Sequence, residues 1–234
     1  MKPTYSHAVI VGAGPGLSAS IARLFHQNGI RVSLAAREPD RLRDLASEID
    51  AAAYACDATR HSDVARLFAD LDREAPPDVL IYNPSAAVRA PFIDLDPSRV
   101  EATMQVNVLG AFYAAQKAAK RMLAKNHGAI LFTGASASVK GYPQSASFAM
   151  GKFALRGLAQ SLARELHPQG IHIGHLIVDG RIRNANRDGY RDEPDNPDSR
   201  LSPDAIAESY WHFLQQDRSV WSWELELRPW VEGF

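Results

Sequence analysis

The chain has 234 residues, 46% hydrophobic and 23% charged, with 26 Lys+Arg against 27 Asp+Glu. That much apolar material excludes a disordered chain, and a net charge of -1 excludes the basic surplus of a general nucleic-acid binder. The single Cys56 allows no intramolecular disulfide and no cysteine-based zinc site.

Residues 1–7 run directly into a glycine-broken strand and do not read as a signal peptide. Short apolar runs then alternate with helix-period stretches, the pattern of repeated βα units on a parallel sheet. The first strand is predicted at 7–11 and a helix at 17–28, stopped by Gly29. A second strand at 30–35 precedes a helix at 41–49. A short third strand at 54–56 leads to a helix over 63–74, before Pro76-Pro77, and a fourth strand at 79–82. Asp96 and Pro97 cap and open a long helix through Met122. The fifth strand is at 128–133, a second long helix at 146–166, broken by Pro168 and Gly170, and the sixth strand at 171–178. Residues 183–203, rich in Arg, Asp, Asn and Pro, read as a lid loop. Ser202-Pro203 open a further helix. The last strand, 221–228, alternates, with Trp221, Trp223, Leu225 and Leu227 on one face and Glu224, Glu226 and Arg228 on the other. The predicted fold is α/β: one domain over 1–234, a doubly wound, mostly parallel seven-stranded sheet with helices on both faces. Ligands on such sheets bind beyond the carboxyl ends of the strands. No apolar stretch approaches the roughly 18 residues of a membrane span, so the expectation is a cytoplasmic protein with no membrane or nucleic-acid partner.

The turn Gly12-Ala13-Gly14-Pro15-Gly16-Leu17-Ser18 joins the first strand to the first helix. A pyrophosphate needs such a turn, because side chains would block the backbone N–H groups and the helix N-terminus favours negative charge. A tight turn without ligand is the alternative, and the G-x-G-x-x-G spacing itself fails at Leu17. The second strand ends Leu34-Ala35-Ala36-Arg37. Ala36 stands where an acidic residue would take a ribose 2′-hydroxyl, and Arg37 suits a 2′-phosphate, so NADP(H) is favoured over NAD(H). A solvated Arg37 paired with Glu38 or Asp40 is the other reading. Asp57, after the third strand, is placed either to accept from an adenine amine or to cap the next helix.

Four groups of residues together resemble the short-chain dehydrogenase/reductase family over nearly the whole chain. They are Gly12, Gly16 and Ser18 at the turn; Asn83 in Leu80-Ile81-Tyr82-Asn83-Pro84-Ser85-Ala86; Asn107 in Met104-Gln105-Val106-Asn107-Val108; and Lys152 followed by Phe153-Ala154-Leu155-Arg156-Gly157-Leu158. The resemblance implies a Rossmann-type fold and a homodimer or homotetramer. It implies cofactor contacts from Gly12, Gly14, Gly16, Leu17, Arg37, Asp57, Asn83, Lys152, Gly180 and Ile182. It further implies a Ser-Tyr-Lys-Asn tetrad in which the tyrosine, one helical turn before the lysine, exchanges a proton with substrate while the lysine lowers its pKa. Counting back four residues from Lys152 reaches Phe148, and the serine position is Ala135, with Ser136 and Ser138 just beyond. Asp179-Gly180 stands for the family's Pro-Gly and Asn184 for its threonine. The chain is similar to a divergent subgroup with Phe in place of Tyr.

The expected activity is hydride transfer between NADP(H) and a small carbonyl or alcohol substrate. Lys152, Asn107 and Ser136 would form the site, with a non-standard proton donor drawn from Ser136, Ser138, Tyr142, Ser147 or Lys152. The alternative is a dinucleotide-binding pseudoenzyme, a cofactor sensor or partner subunit. His167, His172 and His175 are set aside as a metal site, because His172 and His175 alternate across a strand. Trp230 and Phe234 are expected to pack on another subunit.

Overall fold

The computed structural model describes residues 3–184 and 196–232. Seven parallel strands form one sheet in the order β3-β2-β1-β4-β5-β6-β7. These are β1 His7–Val11, β2 Arg31–Ala36, β3 Ala52–Ala55, β4 Val79–Tyr82, β5 Gly128–Thr133, β6 Ile171–Val178 and β7 Glu224–Leu227. The helices are α1 Leu17–Gln27, α2 Arg43–Glu48, α3 His61–Glu74, α4 Pro97–Met104, α5 Gly110–Leu123, α6 Ala146–Leu166 and α7 Pro203–Leu214. Strand order reverses between β1 and β4, so the loops after these two strands part and open a crevice between them.

Both faces of the sheet are covered, which is why β1 and β6 are buried at every position and are mostly apolar. Ile21 and Phe25 of α1 and Tyr210 and Phe213 of α7 pack on one face with Ala8, Ile10 and Leu34. Val64 and Phe68 of α3, Ala114 of α5 and Leu155 of α6 pack on the other with Val9, Val11 and Leu80. Each large apolar side chain fully buried this way contributes about 1.5–3 kcal/mol.

Three predicted elements differ from the structure for identifiable reasons. The helix expected at 41–49 is a 3₁₀ turn, Pro39–Leu42, followed by α2, because Pro39 starts the chain turning earlier. The long helix from Pro97 is interrupted by a π-helical turn, Gln105–Leu109. The Tyr82 hydroxyl donates to Val106 O at 2.5 Å and draws that carbonyl toward β4. Gly110 follows because a Cβ there would collide with the Tyr82 hydroxyl and come within 2.7 Å of Ala58 O. Wide turns of this type concentrate at functional sites. Finally, Trp221 and Trp223 do not share a face. The chain bends at Trp223 before β7 begins, so strand alternation does not reach back to it. Trp221 stacks on His172, 4.4 Å between centroids, and His172 stacks in turn on Phe213. Trp223 lies on the opposite side, under the Arg156 guanidinium.

Ile182 and Leu201 form a parallel bridge, and the Arg183 N–H donates to Leu201 O at 2.8 Å, closing the base of the predicted lid. Lid residues 185–195 and Phe234 lie outside the described residues. Among the described residues no helix is long and apolar enough to cross a membrane.

Candidate active site

The glycine turn sits at the mouth of the crevice. Gly12 has φ +79°, and its N–H and that of Ala13 both donate to Ala35 O, at 2.9 and 3.0 Å. A Cβ on Gly12 would meet Pro84 N at 2.6 Å, so this glycine answers a close approach by the loop after β4. Gly12→Ala is therefore expected to destabilise the protein by about 2 kcal/mol or more, read from its urea midpoint. At Gly14 and Gly16 the reason differs: a Cβ there would meet nothing within 4 Å. Both face open space at the N-terminus of α1, the cradle a phosphate needs. Ser18, at the position of the motif's last glycine, ties the crevice together. Its hydroxyl donates to Gly12 O at 3.1 Å and accepts from Asn83 Nδ2 at 2.7 Å.

From the turn a cleft of about 780 Å³ runs past Arg37 and Arg41 to Asp57, and back to Asn83 and Val106. Glu38 pairs with Arg41 at 2.8 Å and Asp40 with Arg43 at 2.7 Å, while Arg37 takes no ion pair among the described residues. Asp57 both lines the cleft and caps its own turn, accepting from the N–H and the hydroxyl of Thr59. Gly16 is the residue capping α1, and Leu17 is buried in the core beside it. Beyond the cleft, Asn107 lies fully buried in the π turn. Its amide accepts from the Ala86 N–H at 3.0 Å and donates to Ala86 O at 2.8 Å, holding the cleft wall.

Lys152 projects from α6 into complete burial, 1% exposed, where Nζ donates to Thr133 O at 2.8 Å. Burial alone pushes its pKa down to about 8. The Phe148 ring, one turn earlier, lies with its centroid 5.9 Å from Nζ. A family model for short chain dehydrogenases matches residues 6–187 of this arrangement.

The chain belongs to the short chain dehydrogenase family. A crystal structure of a short-chain dehydrogenase from Rhodopseudomonas palustris is 33% identical, covers 97% of this chain and 100% of its own, and superposes with a TM-score of 0.84. A metagenomic short-chain oxidoreductase solved in complex with NADP is 25% identical, with 97% and 98% coverage and a TM-score of 0.82. An uncharacterised oxidoreductase of Staphylococcus aureus (strain N315) is 27% identical over 228 residues, 95% of this chain and 96% of that one. The chain is thus an oxidoreductase of the short-chain type, a family that uses nicotinamide cofactors. These relatives lend no support to a pseudoenzyme.

Ala135 and Ser136 are half-buried at the 3₁₀ turn after β5. Ser147 is turned aside, donating to Val88 O at 2.9 Å and accepting from the Val88 N–H at 3.3 Å. Tyr142 lies on the loop before α6, 43% exposed. Gly180 and Ile182 follow the end of β6, with Ile182 packed against the core of α1 and α7. Asp179 anchors this corner by accepting from Lys140 and Arg228, both at 3.0 Å.

Sequence reasoning named Ser138, His175 and Glu224 separately but missed the cluster they form. Ser138, fully buried, pairs through Oγ with His175 Nε2 at 3.3 Å and accepts from the Ala135 N–H at 3.2 Å. His175 Nδ1 meets Glu224 Oε2 at 3.0 Å, and Glu224 takes a two-pronged pair from Arg156 at 2.6 and 2.8 Å. Burial pushes the His175 pKa down to about 4. Burial acts to raise Glu224, but Arg156 and His175 outweigh it and hold the carboxyl below its usual range. His175 is therefore neutral, protonated at Nδ1, with Nε2 free to accept the Ser138 hydroxyl. The order matches a hydrolytic triad, yet Ser138 is enclosed, so the array fixes the turn bearing Ala135 and Ser136. Residues 37 and 49 positions apart carry no local signal of such contact.

Proposed function

We propose that the chain is an NADP-preferring oxidoreductase acting on a small carbonyl or alcohol, with a proton source other than tyrosine. The observation that carries this reading is the pair Arg37 and Arg41 on the cleft wall, beside Ala36 where an acidic residue would reject a 2′-phosphate. The NADP bound to the metagenomic relative adds support.

The cleft fits that cofactor. Gly14 and Gly16 leave room for the pyrophosphate, Arg37 and Arg41 for the 2′-phosphate, and Asp57 and Asn83 line the path between. When bound, NADPH supplies the hydride. Lys152 holds the ribose side and, as a buried cation, stabilises negative charge growing on the substrate oxygen. Ser136 offers that oxygen a hydrogen bond. Asn107 keeps Ala86 in place, and Phe148 shields Lys152 from water. Phe112, Met150 and Phe153 expose apolar surface on α5 and α6, which supports a homo-oligomer.

Thermal shifts with NADP, NADPH, NAD and NADH test the reading; no shift with any of them would sink it. Arg37→Ala combined with Arg41→Ala is expected to weaken NADPH binding about 10–100-fold, the loss of charged hydrogen bonds to one phosphate. NADH affinity should stay within about twofold. A wild-type protein that prefers NADH would refute the role given to the arginines.

A further inference from the structure

The groups around Lys152 restrict what the site can reduce. Hydride delivered to a carbonyl carbon leaves an electron pair on oxygen, which must be protonated or held as an anion. Ser138 is committed to His175 and Ala135, and Ser147 to Val88. Phe148 has no exchangeable proton. Lys152 is enclosed with Nζ on Thr133 O, and Tyr142 stands on an exposed loop near Lys140. Among the described residues Ser136 remains as a hydrogen-bond donor, but a serine hydroxyl is as weak an acid as the alcohol product and gains nothing by giving up its proton.

What the site does contain is a buried cation beside an aromatic face, Lys152 and Phe148. In a desolvated site a fixed positive charge acts over several ångströms on an anion it does not touch. A simple alkoxide approaches the basicity of hydroxide, whose conjugate acid has a pKa of roughly 15.7. Protonated on oxygen, an enolate is a far weaker base, close to a phenolate, whose conjugate acid lies at roughly 10 for tyrosine. The first demands an acid in the site, whereas the second needs only the charge.

We propose that the substrates are α,β-unsaturated carbonyl compounds, reduced at the β-carbon through an enolate held by the field of Lys152. This rests on the oxidoreductase reading above. The C–H bond of the reduced nicotinamide breaks with its electron pair, and a C–H bond forms at the β-carbon. The C=C pair shifts toward the carbonyl, placing negative charge on its oxygen. Water then protonates the α-carbon, leaving as hydroxide, and the C=O is restored. The nicotinamide is oxidised and the C=C bond reduced, so the only further co-reactant is water.

The test pairs matched acceptors with NADPH: 2-cyclohexenone against cyclohexanone, and 4-phenyl-3-buten-2-one against its saturated ketone. The expected kcat/KM favours the enone by roughly 100-fold or more, with the saturated ketone as the product. Formation of the allylic alcohol, or equal turnover of the saturated ketone, would overturn the substrate class while leaving the oxidoreductase reading intact. Reduction of neither class would overturn both. A binding measurement decides independently of turnover. 4-Nitrophenol, an enolate mimic with a visible phenolate band, is titrated into the NADP-loaded protein. Its apparent pKa is expected to fall by at least about one unit, a tenfold preference for the anion, and Lys152→Met should abolish the shift. Binding of the neutral phenol, or no binding, counts against the proposal. Phe148→Tyr with Ala135→Ser is expected to raise saturated-ketone reduction and so to shrink the enone's advantage in kcat/KM. Ketone reduction that is lost in Tyr142→Phe would instead place the missing acid at Tyr142.

Discussion

Lys152→Met is expected to lower NADPH-dependent turnover by about 10²–10³-fold, with kcat falling more than KM rises, and at the same time to stabilise the fold. The loss of rate follows from removing the buried cation that the proposed function assigns to stabilising negative charge in the transition state. The gain in stability follows from burial. Lys152 is enclosed, and its pKa is lowered from 10.5 to about 8. At roughly 1.4 kcal/mol per unit, keeping it charged in the fold costs on the order of 3 kcal/mol. Its bond to Thr133 O returns about 1 kcal/mol of that. The sign of the pH dependence follows. Between about 8 and 10.5 the unfolded chain binds the Lys152 proton and the folded chain does not, so wild-type stability rises with pH across that window. The variant should therefore exceed the wild type by about 2 kcal/mol near pH 7, with the gap closing toward pH 10.5. Urea unfolding at both pH values measures it. A lysine serving only to hold the fold together would give the opposite sign. Wild-type activity should likewise decline as pH rises through about 8, where the cation is lost.

Much of this architecture is readable in the chain because its signals are local. The strands at His7–Val11, Val79–Tyr82, Gly128–Thr133 and Ile171–Val178 are mostly apolar runs, each bounded on one side by glycine or asparagine. Helix α6 has its predicted limits because Pro168 and Gly170 forbid continuation. The spacing of Gly12, Asn83, Asn107 and Lys152 marks the candidate site in the same way, each lying at a strand end or on a helix. What escaped depends on contacts between distant segments. The π turn at Asn107 exists because a hydroxyl 24 residues earlier, on Tyr82, reaches Val106 O. Arg41 joins Arg37 at the cleft only because Pro39 folds the chain into a 3₁₀ turn. Trp223 changes face because the strand begins one residue after it, which alternation alone does not reveal. Asn107 was legible as a position, but its engagement with Ala86 follows from how the loop after β4 packs.

Glu224→Ala is expected to cost about 2–3 kcal/mol and to loosen the turn that carries Ala135 and Ser136. Removing one member of a buried ion pair strands its partners, typically at about 3–5 kcal/mol. Here Arg156 is 33% and Glu224 19% exposed, so water takes up part of that penalty. Glu224→Gln keeps an acceptor for His175 Nδ1 and should cost less than half as much. Acid should weaken the wild type in a defined window. His175 stays neutral in the fold to about pH 4, whereas the unfolded chain protonates it below about 6.5, so stability falls as pH drops between those values. Glu224, held below its ordinary range, adds a loss in the same direction as it takes up its proton. Urea unfolding at pH 7 and 5 gives both quantities. Because Ser138 reaches Ala135 only while His175 Nε2 accepts its hydroxyl, the consequence at the site is separable from stability. ¹⁵N spectra should show His175 losing its Nδ1–H preference in Glu224→Ala, with the Ala135 amide shifting alongside it, and Glu224→Gln restoring both. An Ala135 amide indifferent to all three states of residue 224 would mean that the turn holds itself, and that the array beneath it secures only β6 against β7.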